Sequence, residues 1–418
     1  QRQNMLDIQT AISQIHFPQS QEAAEKAKER LAFDELFMLQ LKSLIAREKT
    51  RTQKAIPIKF NETVIKNFVA SLPFKLTNAQ KLSLWEIIKD IEKPYPMNRL
   101  LNGDVGSGKT VVASGVALQT AQAGYQAAFM APTEVLAGQH FKIIAKSLSD
   151  FKIRIGLLTS SASKISENGL KLEIPKKNLV EKIKSGEIQI IIGTHALIQK
   201  NINFQKLALV IVDEQHRFGV SQRAALARGH SYSPHLLSMT ATPIPRTLAL
   251  TIYGDLDISL LNEMPKGRQK IITQLIRQEQ RQKAYNFIHE QIKQGRQAFV
   301  ICPRIEPSKK TAEQPIYQPK QLSLKEIVNL EIKAVKTEYE KLSKEIFPDL
   351  RVNMLHGKMK PKEKNQIMDD FKAGEYDILV ATSVIEVGVD VPNAVIMMIE
   401  GAEKFGLTQL HQFRGRVG

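Results

Sequence analysis

The pattern of apolar and polar positions divides the chain into a helical start and two regions of alternating strands and helices. In the first region, near-continuous apolar runs of strand length lie between segments of helical period, which predicts a parallel sheet covered on both faces. The predicted strands there are Arg99–Leu101, Ala127–Met130, Gln189–Ile192, Ala208–Val212 and Leu236–Met239. After Pro265–Gly267, a second set follows: Ala298–Cys302, Val352–Leu355, Ile378–Val380 and Val395–Ile399. The fold class is therefore α/β with two parallel-sheet domains, 76–262 and 263–418, preceded by a helical linker segment over 1–75.

The first 75 residues have helical periodicity and a basic composition. Pro18 and Ser20 provide a helix start. An apolar stripe with helical spacing follows, and we interpret it as a packing face of a linker that packs on the next domain. The stripe consists of Phe33, Phe37, Leu41 and Leu44.

Two polar stretches interrupt the strand pattern. The Lys-rich stretch Glu306–Lys344 predicts a mobile loop up to Pro319 and an amphipathic helix from Leu324. The stretch Ser160–Lys177 predicts a surface insertion.

The run GDVGSGKT has the G-x-x-x-x-G-K-[ST] spacing of a phosphate-binding loop. It lies between a predicted strand and a predicted helix, Val111–Ala123, which Gly124 would end. Glycines let backbone N–H groups surround a phosphate, and the helix N-terminus adds positive partial charge. Lys109 would reach the outer phosphates, and the Thr110 hydroxyl would hold Mg²⁺. We expect ATP-type nucleotide binding by Gly103, Asp104, Val105, Gly106, Ser107, Gly108, Lys109 and Thr110.

A second acidic motif follows about a hundred residues later. The apolar run from Val210 ends in Asp213, and Glu214 comes next. Asp213 at a strand tip can bind Mg²⁺ through water, and Glu214 can orient and deprotonate an attacking water molecule. After a phosphate loop, this pair predicts nucleoside triphosphate hydrolysis.

The net charge and the cysteine content indicate the kind of binding partner and the cellular compartment. The formal net charge of +17 at pH 7, spread along the chain, favours a polyanion bound in a groove or in several patches. The single cysteine, Cys302, lies in an apolar run and is predicted to be a buried small hydrophobe, which fits a reducing, cytoplasmic setting. No apolar run reaches membrane-spanning length, so we expect no membrane partner. The histidines have no metal-ligand spacing, and we expect no structural metal.

Longer strings carry a family resemblance. DEQHRFGV, SMTATPIPRTLAL, ATSVIEVGVDVPNA and QFRGRVG together resemble superfamily 2 helicases. GDVGSGKT, MAPTEVLAGQH, GTHALIQ and LHGKM narrow the resemblance to the RecG family of ATP-dependent DNA helicases. The resemblance implies two RecA-like lobes that use ATP and Mg²⁺. Members of this family also carry an N-terminal wedge domain and a short element after the helicase motifs. Neither is recognisable here, so we expect a fragment.

The resemblance also implies roles for single residues. Gln80, in LTNAQ, corresponds to the glutamine that reads adenine, and His216 to the histidine that links the nucleotide site to the opposite lobe. Arg416 would meet the γ-phosphate from the second lobe and stabilise transition-state charge. Two threonines of the T-A-T motif would couple hydrolysis to motion, and two second-lobe residues would face the nucleotide and the lobe interface. These are Thr240 and Thr242, and Gly388 and Asp390.

DNA contacts are expected from loops on both lobes, through backbone N–H and hydroxyl groups that hold phosphates without reading sequence. The candidates are Pro132, Thr133, Gln139, Gly193, Thr194, His195, His356, Gly357, Thr382, Ser383 and Glu386. For each of them, a polar cap on a strand-end loop is the alternative interpretation.

The resemblance implies a monomeric translocase on branched double-stranded DNA that reverses replication forks and branch-migrates Holliday junctions in recombination and repair. Three alternatives stay open. A transcription-repair coupling translocase shares part of DEQHRFGV and TATPIPRT, but an RNA-polymerase-binding domain is not found. An RNA helicase would usually have DEAD or DEAH in its acidic motif. A nucleic-acid-binding clamp with little turnover belongs to a different class.

Overall fold

The computed structural model describes residues 5–199, 202–214, 232–241, 256–264, 271–303, 335–357, 359–382 and 391–417. These residues form two compact units. The first unit comprises Gln1–Asn102 and Lys109–Leu261, and the second comprises Gly103–Gly108 and Asn262–Gly418.

The first unit contains a nine-stranded sheet in the order β5-β4-β3-β6-β2-β7-β8-β1-β9. The pairs β3–β6, β6–β2, β2–β7, β7–β8 and β8–β1 are parallel, whereas β3–β4 and β4–β5 are antiparallel. All five predicted strands are confirmed. The strands are β1 (Asn98–Gly103), β2 (Gln126–Met130), β3 (Ile155–Leu158), β4 (Ser163–Glu167), β5 (Leu170–Glu173), β6 (Ile190–Gly193), β7 (Leu207–Asp213), β8 (His235–Thr240) and β9 (Asp257–Leu261).

Seven α-helices are described in this unit. They are α1 (Ile8–His16), α2 (Gln21–Arg51), α3 (Glu62–Ser71), α4 (Asn78–Ile91), α5 (Lys109–Gln122), α6 (Glu134–Ser147) and α7 (Lys176–Lys184). Helix α5 confirms the helix predicted after the glycine loop, and Gly124 follows it at φ +82°, a left-handed conformation that suits glycine.

The stretch predicted as a surface insertion folds as an antiparallel hairpin. Strands β4 and β5 lie on the outer edge of the sheet, and every residue of β5 is exposed. The turn between them places Asn168 and Gly169 at positive φ, which suits a tight hairpin connection.

The N-terminal segment is helical, as predicted, and its end is hydrogen-bonded to the end of α4 and to the loop that follows α4. Backbone hydrogen bonds join Ala55 N–H to the carbonyl of Pro94 at 2.9 Å and Ile58 N–H to the carbonyl of Ile91 at 2.8 Å. The apolar stripe of α2 was predicted to be a packing face, and this prediction is wrong: its four side chains are between 37% and 52% exposed. Helical spacing identifies a shared face but does not provide a partner to cover it.

The second unit contains a parallel four-stranded sheet in the order β11-β12-β10-β13. Its four predicted strands are confirmed. They are β10 (Gln297–Ile301), β11 (Val352–Leu355), β12 (Ile378–Ala381) and β13 (Ala394–Ile399), and the helices are α8 (Arg281–Lys293), α9 (Pro361–Ala373) and α10 (Leu407–Arg414). Residues 335–346 are helical, which agrees with the later part of the predicted helix, whereas its predicted start at Leu324 lies outside the described residues. The predicted loop up to Pro319 lies outside the described residues.

Across the described parts of the chain, no helix combines the length and apolar character needed to span a lipid bilayer.

Candidate nucleotide and nucleic-acid site

Most predicted site residues of the first unit lie at one edge of its sheet. Parallel strands end at the same edge, so the tips of β2, β6, β7 and β8 lie side by side there. Register confirms the alignment, since Met130 pairs with Val212 and with Gly193, and Asp213 pairs with Met239. The acidic motif and the loops predicted to contact DNA therefore share the carboxyl edge of one sheet.

The glycine loop has the backbone conformation that phosphate binding requires. Gly106 and Gly108 have φ values of +81° and +87°, which a residue with a side chain rarely adopts. Within the loop, Ser107 N–H donates to the carbonyl of Asp104 at 3.1 Å. The loop connects directly to α5, whose first residues are Lys109 and Thr110. These residues fit a bound triphosphate, because glycine-rich turns at a helix N-terminus present N–H groups to anions.

The Asp213 carboxylate is buried and held by His140. The His140 Nε2 atom lies 2.8 Å from Asp213 Oδ2. Burial alone would raise the pKa of Asp213, but the hydrogen bond and charge of His140, the charge of Lys109 and the Glu214 backbone N–H lower it below its usual range. An ionised carboxylate accepts hydrogen bonds only, so the His140 nitrogen donates. Asp213 and the Thr110 hydroxyl are hard oxygen donors of the kind that Mg²⁺ prefers.

Glu214 has an unusual backbone. Its φ of +55° is in the left-handed region, which a non-glycine residue adopts at a cost on the order of 1 kcal/mol. The residue is buried beside Asp213 at the end of β7. Such conformations concentrate at functional sites, so the backbone supports a functional role for Glu214 independently of the motif.

Gln80 has a structural role in this fold. Its backbone N–H donates to the Thr77 hydroxyl at 3.2 Å, and its side-chain oxygen accepts from the Thr77 backbone N–H at 2.9 Å. This reciprocal capping box starts α4 and leaves Gln80 buried. Recognition of adenine by Gln80 stays a prediction.

The predicted DNA contacts of the first unit lie on α6 and at the end of β6. Thr133 is the N-cap of α6, and its hydroxyl accepts from Leu136 N–H at 3.3 Å. Pro132 precedes it and Gln139 lies within the helix, both partly buried. Gly193 and Thr194 are buried, whereas His195 is exposed. Their contact with DNA stays a prediction.

The described candidates of the second unit lie around the ends of its strands. His356 and Gly357 follow β11, and the buried Thr382 follows β12. Arg416 comes after α10 and is partly buried. Within this unit, Arg414 Nη2 donates to Asp104 Oδ2 at 3.0 Å.

Several predicted residues lie outside the described part of the chain. These are His216, Thr242, Ser383, Glu386, Gly388 and Asp390. Thr240, at the end of β8, is described and buried.

The functional candidate that the sequence analysis missed is His140. It ends the string MAPTEVLAGQH, directly after a predicted DNA contact, but it is 73 residues from Asp213. The only signal was its place in a motif, because chain spacing does not show which strand ends meet.

Two family models match the chain and give its class. The DEAD/DEAH box helicase model matches residues 78–251, and the helicase conserved C-terminal domain model matches residues 279–418. The chain therefore has the two RecA-like parallel-sheet lobes of a helicase core. A solved structure of Dbp5 from S. cerevisiae bound to RNA and ADP BeF3, 18% identical, covers 86% of this chain and 85% of that one at a TM-score of 0.55. That likeness shows the fold alone.

Closer relatives narrow the similarity. The ATP-dependent DNA helicase RecG of Synechocystis sp. is 46% identical over 100% of this chain and 47% of that protein. The protein of the same name from Bacillus subtilis is 43% identical over 99% of this chain and 56% of its own length. A structure of RecG bound to a three-way DNA junction is 41% identical and covers 100% of this chain and 51% of that chain, with a TM-score of 0.77. The chain is similar over its whole length to RecG helicases, and it spans about half the length of these relatives.

Proposed function

We propose that this chain is the motor portion of an ATP-dependent DNA helicase that translocates on double-stranded DNA and remodels branched DNA. Replication fork reversal and Holliday junction branch migration, in recombination and repair, are the proposed reactions. The observation that supports hydrolysis most is the buried Asp213 carboxylate at the carboxyl end of β7, held by His140 at 2.8 Å and followed directly by the buried Glu214. The relatives named above support DNA as the partner, and one of them binds a three-way junction.

In this proposal, each site residue of the first unit has a separate role in ATP hydrolysis. Lys109 would neutralise the outer phosphates, and Thr110 and Asp213 would hold Mg²⁺. Mg²⁺, when bound, supplies neutralisation of the charge that develops on the phosphates. Glu214 would orient and deprotonate the attacking water. From the second unit, Arg416 would stabilise transition-state charge.

The remaining predicted roles belong to the same proposal. Gln80 would read adenine, His216 would link the nucleotide site to the opposite lobe, and Thr240 and Thr242 would couple hydrolysis to motion. The predicted DNA contacts would hold phosphates, and the net charge of +17 supports an affinity that falls steeply with salt. A monomeric state and a cytoplasmic setting are proposed as well, and light scattering of the chain with and without DNA tests the first.

The test is ATP hydrolysis by this chain and by a form extended past Gly418, with and without forked duplex DNA. Two variants, Lys109→Ala and Glu214→Gln, should lose DNA-stimulated turnover by on the order of a hundredfold or more. Glu214→Gln should still bind nucleotide, since it keeps the phosphate loop and Mg²⁺ ligands.

The matched controls are Lys66→Ala and Glu62→Gln, an exposed pair on α3 joined at 2.8 Å. They should hydrolyse ATP as the parent chain does. If both forms bind DNA but hydrolyse no ATP, the nucleic-acid-binding clamp is favoured. If they neither bind DNA nor hydrolyse ATP, the proposal is contradicted.

A further inference from the structure

A histidine on the helix predicted to contact DNA holds the carboxylate predicted to hold Mg²⁺. His140 lies near the middle of α6, and its Nε2 donates to Asp213 Oδ2 at the end of β7. Both side chains are buried, at about 8% and 11% of their side-chain surface exposed. A buried hydrogen bond to a charged group is among the stronger polar interactions in a protein.

The imidazole has few alternatives to this contact. Its ring packs against Phe129 of β2, with 4.5 Å between the ring centroids. Its second nitrogen, Nδ1, is buried and has no hydrogen-bond partner among the described residues. The Asp213 carboxylate is therefore the one polar partner that the described structure provides for the His140 side chain. Packing against Phe129 sets the orientation of the ring.

The helix that carries His140 connects the contact with Asp213 to the loops predicted to contact DNA. Thr133 caps α6, and Gln139 is the residue before His140. Glu134 at the helix start accepts from Ser160 N–H at 2.9 Å and from the Ser161 hydroxyl. His140 and the N-terminal residues of α6 belong to one helix, so any shift of the helix on DNA binding would also change the position of the His140 nitrogen.

We propose that His140 is a positioning residue that orients Asp213 for Mg²⁺ and transmits DNA binding at α6 to the nucleotide site. This inference rests on the proposed function, because it assigns Mg²⁺ to Asp213 and DNA to α6. Residues that orient a metal ligand through a hydrogen bond affect metal affinity or activity by 10- to 100-fold when replaced.

The first test measures binding of ADP to the whole chain at increasing Mg²⁺, by calorimetry, without any turnover. His140→Ala should raise the Mg²⁺ concentration at half-saturation by on the order of tenfold, with ADP affinity in the absence of Mg²⁺ unchanged. His140→Gln, which keeps an N–H donor on a long side chain, should restore part of the loss. Thermal melting of each variant establishes that it is folded.

The second test separates action through Asp213 from a general packing effect. In an Asp213→Asn background, His140→Ala should leave the Mg²⁺ dependence unchanged, because the group it orients has been altered. The matched control is His289→Ala, which removes another histidine whose Nε2 pairs with an aspartate, Asp349 at 2.7 Å, in the second unit. That variant should keep the parent Mg²⁺ dependence.

The third test concerns coupling. The ratio of ATP hydrolysis with forked DNA to hydrolysis without it should fall severalfold in His140→Ala, while affinity for the same DNA stays within about twofold. The proposal would be overturned if the His140 variants melt at a lower temperature but keep the parent Mg²⁺ dependence and the parent stimulation of ATP hydrolysis by DNA. His140 would then be a packing residue. If the parent chain hydrolyses no ATP, the proposed function fails, whereas the Mg²⁺ titration with ADP still decides the positioning role.

Discussion

The backbone N–H of Met97 donates a 3.0 Å hydrogen bond to Nδ1 of His235. The other ring nitrogen of His235 donates to the carbonyl of Ile56 at 2.8 Å. One fully buried imidazole at the start of β8 thus joins the residue before β1 to the linker. Because Nδ1 accepts and Nε2 donates, the arrangement requires the neutral ring.

The first prediction follows from that requirement. Burial lowers the pKa of His235 below its ordinary value of 6.5, against smaller opposing effects of the Ile56 carbonyl and of Asp90. The unfolded chain therefore binds the proton first, and the free energy of unfolding falls as pH drops below about 6.5, by up to about 1.4 kcal/mol per pH unit. Denaturant titrations between pH 7.5 and 5, followed by fluorescence of the single tryptophan, Trp85 on α4, measure this in the first unit.

His235→Gln should remove this part of the pH dependence, although it lowers stability at neutral pH. His289→Gln, at a partly exposed histidine of the second unit, is the control and should leave the Trp85 transition unchanged. An unchanged slope in His235→Gln would show that other groups set the acid sensitivity.

The second prediction concerns Arg99 on β1, whose guanidinium contacts Asp90 at 2.7 Å and the Ser259 hydroxyl at 2.9 Å. The Arg99 and Asp90 side chains are 12% and 9% exposed. Among the described residues, Arg99→Met leaves the buried Asp90 carboxylate with Lys93 as its remaining ion-pair partner, so the free energy of unfolding followed by Trp85 should fall by roughly 3 kcal/mol. Lys66→Ala, which breaks an exposed pair, should have little effect. Equal effects of the two variants would contradict the assignment.

The third prediction separates packing from function at Gly193. A Cβ there would lie 2.3 Å from the carbonyl oxygen of Leu158, an atom of the neighbouring strand that cannot rotate away. Gly193→Ala should therefore lower the free energy of unfolding by about 1–3 kcal/mol. The matched control is Gly138→Ala within α6, where a Cβ meets nothing within 4 Å and helix propensity favours alanine by about 0.5–1 kcal/mol. A stable Gly193→Ala variant with weaker DNA binding would instead favour the DNA contact predicted from sequence.

The elements that the sequence predicted well are those with one strong local signal. Strands such as Ala208–Val212 are continuous apolar runs because both faces of a parallel sheet are covered, and α5 follows from the phosphate-loop motif. The β4–β5 hairpin also had a local signal, which the interpretation as a surface insertion overlooked: Asn168 and Gly169 form a typical two-residue hairpin turn, and Leu170 and Leu172 alternate with polar residues in the strand that follows.

The site was predictable as a set of motifs and not as a set of contacts. Asp213 and Glu214 were identified by their position after an apolar strand, but the pairing of Asp213 with His140 depends on which strands lie next to each other. The error at Phe37 and its neighbours has a related cause, because a periodic stripe does not specify what covers it.

The fourth prediction concerns the single cysteine of the second unit. Cys302 is buried after β10, and its N–H donates to the carbonyl of Ala381 at 2.8 Å. Burial raises the pKa of this thiol far above its ordinary value, and the charges of Glu338 and Glu400 add to the effect. Because the thiolate is the reactive form, the native chain should react with a disulfide reagent at least about a thousandfold more slowly than the denatured chain.

The labelling rate of Cys302 should rise with denaturant as the second unit opens, so it measures the stability of that unit while Trp85 measures the first. The control is Glu290→Cys combined with Cys302→Ser, which places the thiol on the exposed face of α8 and should react at the rate of an unfolded chain. If native Cys302 reacts as fast as this introduced thiol, the β10 end opens without unfolding, and the core around Val335 and Leu342 does not protect it.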